Sequence, residues 1–320
     1  MDKRPLGNSG FAVAPLALGG NVFGWTADER TSFQVLDAFI AGGFALIDTA
    51  NSYSRWVAGH QGGESETVIG NWIARRGRHD DVVIATKVGS DMGLGHKCLK
   101  RTHIVEQAEA SLRRLRVERI DLYQSHWDDA TTPLDETLEA YDRLIRQGKV
   151  KAIGASNLTA ERLAEALAVS RSKGLPRYAT MQPHYNLLVR DEFEGPLQRL
   201  CVQEGIGVIP YYSLAAGFLT GKYRSEADVA KSVRGPGLKK YLNQRGAAVL
   251  AALERVAARR RATMAQVALA WLMGQPGIVA PIASATSVAQ LEELMGAARL
   301  KLAAEDLEEL ALRSDTGQRT

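Results

Sequence analysis

The sequence predicts an α/β protein in which eight parallel strands and their intervening helices form a (β/α)8 TIM barrel. Short apolar runs of strand length alternate with longer segments whose apolar residues recur every three or four positions, which is typical of a repeated strand–helix unit. Eight such units can be counted, and 320 residues is a usual length for a barrel. A doubly wound open sheet shows the same alternation and is the alternative architecture.

The elements follow one another in a regular order. An N-terminal β-hairpin is predicted over residues 3–14, because the turn cluster Gly7-Asn8-Ser9-Gly10 separates two short segments. The predicted barrel strands are 16–18, 44–48, 82–87, 120–124, 150–154, 179–182, 206–211 and 278–282. The predicted helices are 30–41, 66–75, 104–115, 133–147, 160–173 and 194–204, with extra C-terminal helices over 288–297 and 303–313.

One segment interrupts this order. Residues 214–241 contain several glycines and no clear periodicity, and a long loop of this kind inside a compact domain is usually functional. The final helix is expected to pack on the outside or the base of the barrel. Residues 1–320 are predicted to form a single domain.

Composition and charge narrow the class of protein. Hydrophobic residues make up 45% of the chain and charged residues 24%, as in ordinary globular proteins. The net charge is +4, and the arginine clusters at 113–116 and 259–261 lie in predicted helices, so solvated helix faces are favoured over nucleic-acid binding. Cys98 and Cys201 suggest neither a disulfide framework nor a zinc site. The N-terminus lacks a signal-peptide pattern and no apolar run approaches a membrane span, so a cytoplasmic protein without membrane attachment is expected.

Three predicted strands end on side chains that can carry chemistry. Asp48 ends the second strand, Lys87 ends the third, and His126 follows the fourth. Tyr53 comes five positions after Asp48 in a polar loop. The C-terminal ends of parallel barrel strands meet at one mouth, so these four residues could form one site.

The four residue types suit the reduction of a carbonyl group. A tyrosine with a reference pKa near about 10 donates a proton poorly unless its phenolate is stabilised, and Lys87 could supply that stabilisation. A carboxylate such as Asp48 would keep a pocket lysine protonated. Tyr53 and His126 would then donate to the substrate oxygen while another group attacks the carbon.

Other interpretations stay open for these residues. Taken singly, each has a structural explanation, such as a turn cap, a loop aromatic, a solvated strand end or a hydrogen-bonded histidine. A metal site is disfavoured because the six histidines form no metal-binding pair. A glycosidase would need two facing carboxylates, and Asp128 and Asp129 are adjacent in sequence.

In combination, several motifs resemble those of the aldo-keto reductases, and the resemblance extends over essentially the whole chain. It implies a (β/α)8 barrel that binds NADPH/NADP+, with NADH possible, in extended form without a Rossmann motif. The resemblance also implies which group would attack the carbonyl carbon, namely a hydride from nicotinamide. The motifs are Ile47-Asp48-Thr49-Ala50-Asn51-Ser52-Tyr53, Gly63-Glu64-Ser65-Glu66, Ala85-Thr86-Lys87, Ile120-Asp121-Leu122-Tyr123-Gln124-Ser125-His126, 148–157, Met181-Gln182-Pro183 and 217–223.

The resemblance also implies roles for individual residues. Tyr53 would be the general acid, tuned by Lys87 and Asp48, and His126 would orient the carbonyl. The implied cofactor contacts are Ser156, Asn157 and Gln182 at the nicotinamide amide, Tyr211 stacked on its ring, Ser213, Leu214, Gly217 and Lys222 at the pyrophosphate, and Ser284, Thr286, Ser287, Gln290 and Glu293 around the adenosine end.

This sequence departs from the family pattern at three positions. Ser213 replaces a proline that usually follows the stacking aromatic, which removes a rigid residue from the pyrophosphate loop. Leu294 stands where many members have an asparagine that bonds the adenine. Thr286 stands where many members place an arginine on the 2′-phosphate, so the preference for NADP over NAD is expected to be weaker.

Two functions remain under consideration. The first is an NAD(P)H-dependent enzyme that reduces aldehydes, ketones or sugars, with a small-molecule carbonyl compound as its partner. The alternative is a cofactor-binding regulatory subunit of the potassium-channel beta type. Trp25, Trp56 and Trp127 are predicted at the mouth, where aromatic walls suit either hydrophobic aldehydes or sugars. The sequence indicates no oligomeric state.

Overall fold

A sheet of eight parallel strands forms the centre of the protein. The computed structural model describes residues 2–230 and 235–314; Met1 and residues 231–234 of the predicted long loop lie outside the described residues. Two short strands, β1 (Arg4–Pro5) and β2 (Ala12–Val13), precede the sheet. The eight strands are β3 (Ala17–Gly19), β4 (Leu46–Asp48), β5 (Val83–Val88), β6 (Ile120–Ser125), β7 (Val150–Ser156), β8 (Thr180–Gln182), β9 (Gly207–Val208) and β10 (Ile282–Ala283).

The strand order shows that the sheet curls into a barrel. Strands β3 to β9 pair with their sequence neighbours in parallel, and β10 returns to pair with β3. A parallel bridge between Val208 and Ile278, and a 2.9 Å bond from the Ile282 amide to the Pro210 carbonyl, join the two remaining edges. The predicted (β/α)8 class is confirmed, and an open doubly wound sheet does not fit this pairing.

The seventh and eighth barrel strands are shorter than predicted. The predictions were 206–211 and 278–282, whereas β9 covers Gly207–Val208 and β10 covers Ile282–Ala283. Pro210 and Pro281 lie inside or beside these segments and have no amide hydrogen to donate to a ladder. Only isolated bridges therefore extend the pairing there.

The predicted hairpin covers the N-terminal end of the barrel. Arg4 pairs with Val13 in antiparallel register. Leu6 and Val13 are fully buried in a cluster that includes Ala17 and Leu46 from the first two barrel strands. Arg4 also donates to the carbonyl oxygens of residues 273 and 278, at 2.8 and 2.9 Å. The hairpin thus closes the end of the barrel opposite the candidate site.

Twelve helices accompany the strands among the described residues. Side-chain caps set several N-termini: Asp28 accepts from the Thr31 amide, and Thr159 accepts from the Arg162 amide. The predicted helices recur with ends shifted by at most three residues. The helices are α1 (Glu29–Ala41), α2 (Glu64–Arg76), α3 (Arg101–Leu115), α4 (Leu134–Arg146), α5 (Ala160–Lys173), α6 (Pro196–Gln203), α7 (Glu226–Val229), α8 (Gly235–Leu238), α9 (Gln244–Arg260), α10 (Met264–Met273), α11 (Val288–Gly296) and α12 (Ala304–Ser314).

The last helix packs on the outside of the barrel, against α9. Arg259 and Arg260 of α9 contact the fully buried Asp306 carboxylate at 2.7 and 2.5 Å. Arg259 and Arg255 also contact Glu309, at 2.7 and 2.6 Å. Arg259 and Arg260 of the arginine cluster at 259–261 therefore serve a structural contact. Within the described parts of the chain, no helix combines the length and apolar character needed to cross a membrane.

Candidate active site

Tyr53, Lys87 and Asp48 form a compact hydrogen-bonded triangle at the C-terminal end of the barrel. The Lys87 ammonium donates to Asp48 Oδ2 at 2.6 Å and to the Tyr53 hydroxyl at 2.9 Å. The Tyr53 hydroxyl donates to the same Asp48 oxygen at 3.1 Å. Residues 39 positions apart are brought together because β4 and β5 are adjacent parallel strands. The structure therefore joins three of the four residues that the sequence predicted as one site.

Every hydrogen of the Lys87 ammonium has an acceptor. The third acceptor is the Thr49 carbonyl oxygen, at 2.8 Å. Lys87 and Asp48 are 0% and 1% exposed. The second Asp48 oxygen accepts from Gln182 Nε2 at 2.9 Å and from Gln124 Nε2 at 3.3 Å. This buried ion pair is fully bonded, as such pairs must be to offset their desolvation.

Burial shifts the pKa values of Lys87 and Tyr53, which share a hydrogen bond. Desolvation lowers the pKa of Lys87, although the Asp48 carboxylate opposes this effect. Desolvation and the Asp48 charge raise the pKa of Tyr53 well above its ordinary value. The tyrosine is therefore protonated at neutral pH, and it can act as a proton donor only if charge develops on a nearby acceptor.

His126 lies beside this triangle as a neutral imidazole. Its ring centroid is 6.1 Å from that of Tyr53, and its Nδ1 is 2.9 Å from the Ser90 hydroxyl. Burial, with the positive charges of Lys87 and Lys97, lowers the pKa of His126 well below its ordinary value. The backbone also fixes its place, because its amide donates to the Val88 carbonyl at 2.7 Å.

A cavity of about 1040 Å³ opens in front of the triangle. Asp48, Tyr53 and His126 line it, whereas Lys87 lies behind them. The cavity continues past the ends of the later strands to the first turn of α11. Residues expected at the cofactor also line it: Ser156, Asn157, Gln182, Tyr211, Ser213, Leu214, Gly217, Lys222, Ser284, Thr286, Gln290 and Glu293.

Amide and hydroxyl groups join the triangle to the next part of the cavity. Ser156 donates to the Gln182 carbonyl at 2.8 Å, and Asn157 Nδ2 contacts Ser156 Oγ at 3.0 Å. The Tyr211 hydroxyl donates to Asn157 Oδ1 at 2.8 Å. Asn157 has a φ of +57°, a left-handed conformation that asparagine tolerates better than most residues. Together these bonds fix four of the predicted cofactor-binding residues against one another.

The loop after Tyr211 has an unusual backbone. Ala215, Ala216 and Gly217 have φ angles of +49°, +57° and +99° in succession. Left-handed alanines are strained. Two amides of this loop donate within it, Ala215 to the Tyr212 carbonyl at 2.7 Å and Gly217 to the Leu214 carbonyl at 2.9 Å. Ser213 is buried and donates to the Pro210 carbonyl at 3.1 Å. A hydrogen bond thus restrains this position, where the resemblance described above implies a proline.

The far end of the cavity lies at the start of α11. Thr286 donates from both its amide and its hydroxyl to Gln290 Oε1, each at 3.0 Å. Ser287 accepts from the Gln290 amide as the N-cap of α11 and does not line the cavity. Ser284 donates to Asn21 Oδ1 at 2.5 Å. Leu294 also lines this end, so the wall beside Glu293 is apolar.

Two of the three predicted mouth tryptophans reach the cavity. Trp56 and Trp127 line it, and the Trp56 side chain is 53% exposed. Trp25 does not line it and instead packs edge-on against Trp56, with ring centroids 5.4 Å apart. Trp127 stacks on His126 at 5.9 Å. Trp25 therefore supports the mouth indirectly.

Several cavity residues were not predicted from the sequence. Tyr212 lines the cavity with 52% exposure, and its φ is +52°. Arg55 donates to the Asp91 carbonyl at the rim. Neither residue carries a recognisable motif signal, although both directly neighbour predicted loop residues. The other unpredicted lining residues that bond the site are Asn21, Ser52 and Ser90.

Comparison with known proteins identifies the family. The family model described as "Aldo/keto reductase family" matches residues 15–312. The chain belongs to the aldo/keto reductase family. The resemblance predicted from the motifs is therefore confirmed, and members of this family are oxidoreductases that use nicotinamide cofactors.

Three relatives illustrate the breadth of this family. The uncharacterized oxidoreductase YrpG of Bacillus subtilis is 34% identical over 310 residues, covering 94% of this chain and 92% of that protein. The protein tas of Escherichia coli is 31% identical, with coverages of 97% and 96%. A probable voltage-gated potassium channel subunit beta of Arabidopsis thaliana is 32% identical, with coverages of 93% and 91%.

The cavity of this aldo/keto reductase fits a nicotinamide dinucleotide. Its volume of about 1040 Å³ reaches the upper end of the range of about 300–1,000 Å³ for small-molecule sites. The cavity offers amide side chains beside the triangle, the Lys222 cation further along, and the N-terminal end of α11 at its far end. Amide, cationic and helix-terminal groups of this kind suit the amide and phosphate groups of a nicotinamide dinucleotide.

Proposed function

We propose that this aldo/keto reductase reduces small aldehydes, ketones or sugars with NADPH, and also with NADH at lower affinity. The observation that carries the proposal is the Lys87–Tyr53–Asp48 triangle at the inner end of a cavity large enough for a dinucleotide. The reduced cofactor supplies a hydride when bound. The remaining requirement is a proton for the substrate oxygen, and the chain's own residues provide it.

Tyr53 is the proposed proton donor. Its raised pKa keeps the hydroxyl protonated until negative charge develops on the substrate oxygen. Lys87 donates to the phenol oxygen and thereby stabilises the phenolate left behind, while Asp48 keeps Lys87 charged. The Lys87–Tyr53 hydrogen bond is strongest when negative charge develops on the phenol oxygen. A contact that strengthens in the transition state speeds the reaction, whereas one that is equally strong in the ground state only aids binding.

His126 is proposed to orient the carbonyl. If its Nδ1 accepts from the Ser90 hydroxyl, the neutral imidazole carries its proton on Nε2. Nε2 can then donate a hydrogen bond to the substrate oxygen. Because the pKa of His126 is low, the imidazolium form, which could compete with Tyr53 as a proton donor, is scarce at neutral pH. Trp56 and Trp127 would bound the substrate on the open side.

Binding of the cofactor is assigned to the other cavity residues. Ser156, Asn157 and Gln182 are proposed to hold the nicotinamide amide, and Tyr211 to stack on its ring. The pyrophosphate contacts are assigned to Ser213, Leu214, Gly217 and Lys222, and the adenosine contacts to Ser284, Thr286, Gln290 and Glu293. Ser287 would act through the N-terminus of α11.

A panel of carbonyl compounds tests this proposal. Aromatic and aliphatic aldehydes, ketones and aldoses would each be supplied with NADPH and with NADH, and cofactor oxidation would be followed. The proposal expects turnover of at least one class. Tight NADPH binding with no turnover of any class would instead favour a regulatory subunit, the function named for the Arabidopsis relative.

A further inference from the structure

The ring of Tyr211 is covered from behind by His184. The two rings are nearly parallel, with 18° between their planes and 5.3 Å between their centroids. Tyr211 lines the cavity, whereas His184 does not. His184 therefore lies on the side of the Tyr211 ring that faces away from the cavity, and it leaves the opposite face available.

Hydrogen bonds fix the two ends of Tyr211. Its amide donates to the Pro183 carbonyl at 3.0 Å, and its hydroxyl donates to Asn157 Oδ1 at 2.8 Å. With both ends held, the main freedom left to the side chain is the tilt of the ring about its long axis. A parallel neighbour restricts this tilt, because rotation of the ring would collide with the imidazole.

His184 is itself held in place. It forms an isolated parallel bridge with Tyr211, which aligns the two backbones. Its Nδ1 lies 3.3 Å from Glu192 Oε1, and its side chain is 10% exposed. The edge of the Tyr212 ring packs against it, with centroids 5.4 Å apart. The imidazole is thus a fixed backing for Tyr211.

We infer that His184 is a positioning residue that sets the tilt of the Tyr211 ring and thereby the affinity for the nicotinamide half of the cofactor. This inference rests on the proposed function, in which the nicotinamide stacks on Tyr211. His184 touches neither cofactor nor substrate in this account. Its effect therefore depends on Tyr211 and should be absent for ligands without a nicotinamide ring.

The test compares two ligands by isothermal titration calorimetry. NADPH carries the nicotinamide, whereas adenosine 2′,5′-bisphosphate carries the phosphorylated adenosine end alone. Loss of one aromatic stacking contact corresponds to about a twofold to tenfold change in Kd. His184→Ala is expected to raise the Kd for NADPH by this factor and to leave the Kd for the bisphosphate unchanged.

Three further variants separate positioning from general damage. His184→Phe keeps a flat ring behind Tyr211 and should restore the NADPH affinity. His103→Ala removes a partly buried histidine from α3 and should change neither Kd. In a Tyr211→Ala background, His184→Ala should have no further effect on NADPH binding, since the residue acts through Tyr211.

The outcomes distinguish the inference from the proposed function. The role of His184 would be overturned if His184→Ala weakened the binding of both ligands equally or left NADPH binding unchanged. It would also be overturned if His184→Phe failed to restore NADPH affinity. In those cases carbonyl reduction by the wild type would leave the proposed function intact. A wild type that binds neither NADPH nor NADH would overturn the proposed function and, with it, the inference.

Discussion

The Lys87 ammonium lies 2.6 Å from the Asp48 carboxylate, and water is excluded from both groups. A buried ion pair of this kind contributes little net stability as a pair, but each partner needs the other. The same contact holds the lysine charged beside the Tyr53 hydroxyl. Stability and proposed chemistry therefore depend on one interaction.

Removal of one partner should destabilise the fold. Lys87→Met leaves the Asp48 charge buried without a cation, and the free energy of unfolding should fall by about 3–5 kcal/mol. Lys87→Met combined with Asp48→Asn removes both charges and should regain most of this loss, although carbonyl reduction stays absent. Urea denaturation measures the stabilities. A double variant no more stable than Lys87→Met would contradict this account of the pair.

Histidine burial should make the stability depend on pH. The folded-state pKa of His126 is lowered well below its ordinary value, so the unfolded chain binds a proton that the native chain does not. The free energy of unfolding should therefore fall as the pH drops below about 6.5. His103 and His184, whose pKa values are also lowered, contribute in the same direction.

His126→Asn should reduce this pH dependence. Unfolding of wild type and variant would be measured from about pH 7.5 to about pH 5.5, a range that spans the reference histidine pKa. The variant should lose less stability over this range, because it lacks His126 and therefore takes up one proton fewer when it unfolds. An equal loss in both proteins would show that His126 is not the residue responsible.

The far end of the cavity should decide cofactor preference. Thr286 offers only a hydroxyl and an amide, both already bonded to Gln290. Thr286→Arg adds a guanidinium for the 2′-phosphate and should increase the preference for NADPH over NADH by about one to two powers of ten. Thr286→Gln, which is long but uncharged, is the matched control. Titration of both cofactors at fixed ionic strength measures the ratio; no change in Thr286→Arg would place the 2′-phosphate elsewhere.

Much of the barrel and its inner site could be predicted because the signals are local. Asp48 and Lys87 each follow an apolar run, and parallel strands necessarily carry such ends to one mouth. Two outer helices escaped prediction: α9 was expected only at its arginine cluster, residues 259–261, and α10 was not predicted. Helix α9 is rich in alanine, which blurs its apolar spacing, and α10 is buried on nearly every side and so lacks an amphipathic pattern.

The contacts around Tyr211 could not be predicted from the sequence. His184 and Tyr211 are 27 positions apart, and their stacking depends on how the ends of β8 and β9 align. The left-handed backbone at Tyr212, Ala215 and Ala216 is equally hidden, because neither tyrosine nor alanine favours it. Tertiary contacts impose these conformations.

Tyr53 is the proposed donor of the proton to the substrate oxygen. Single-turnover reduction by Tyr53→Phe, followed by stopped-flow NADPH oxidation, tests this role most directly, with NADPH affinity measured in parallel. Tyr141→Phe is the control, since it removes a buried hydroxyl that bonds Ser125 away from the cavity. Tyr53→Phe is expected to bind NADPH normally and to reduce carbonyls about 10²- to 10⁴-fold more slowly, whereas Tyr141→Phe should keep the wild-type rate. A Tyr53→Phe rate close to that of the wild type would contradict this role.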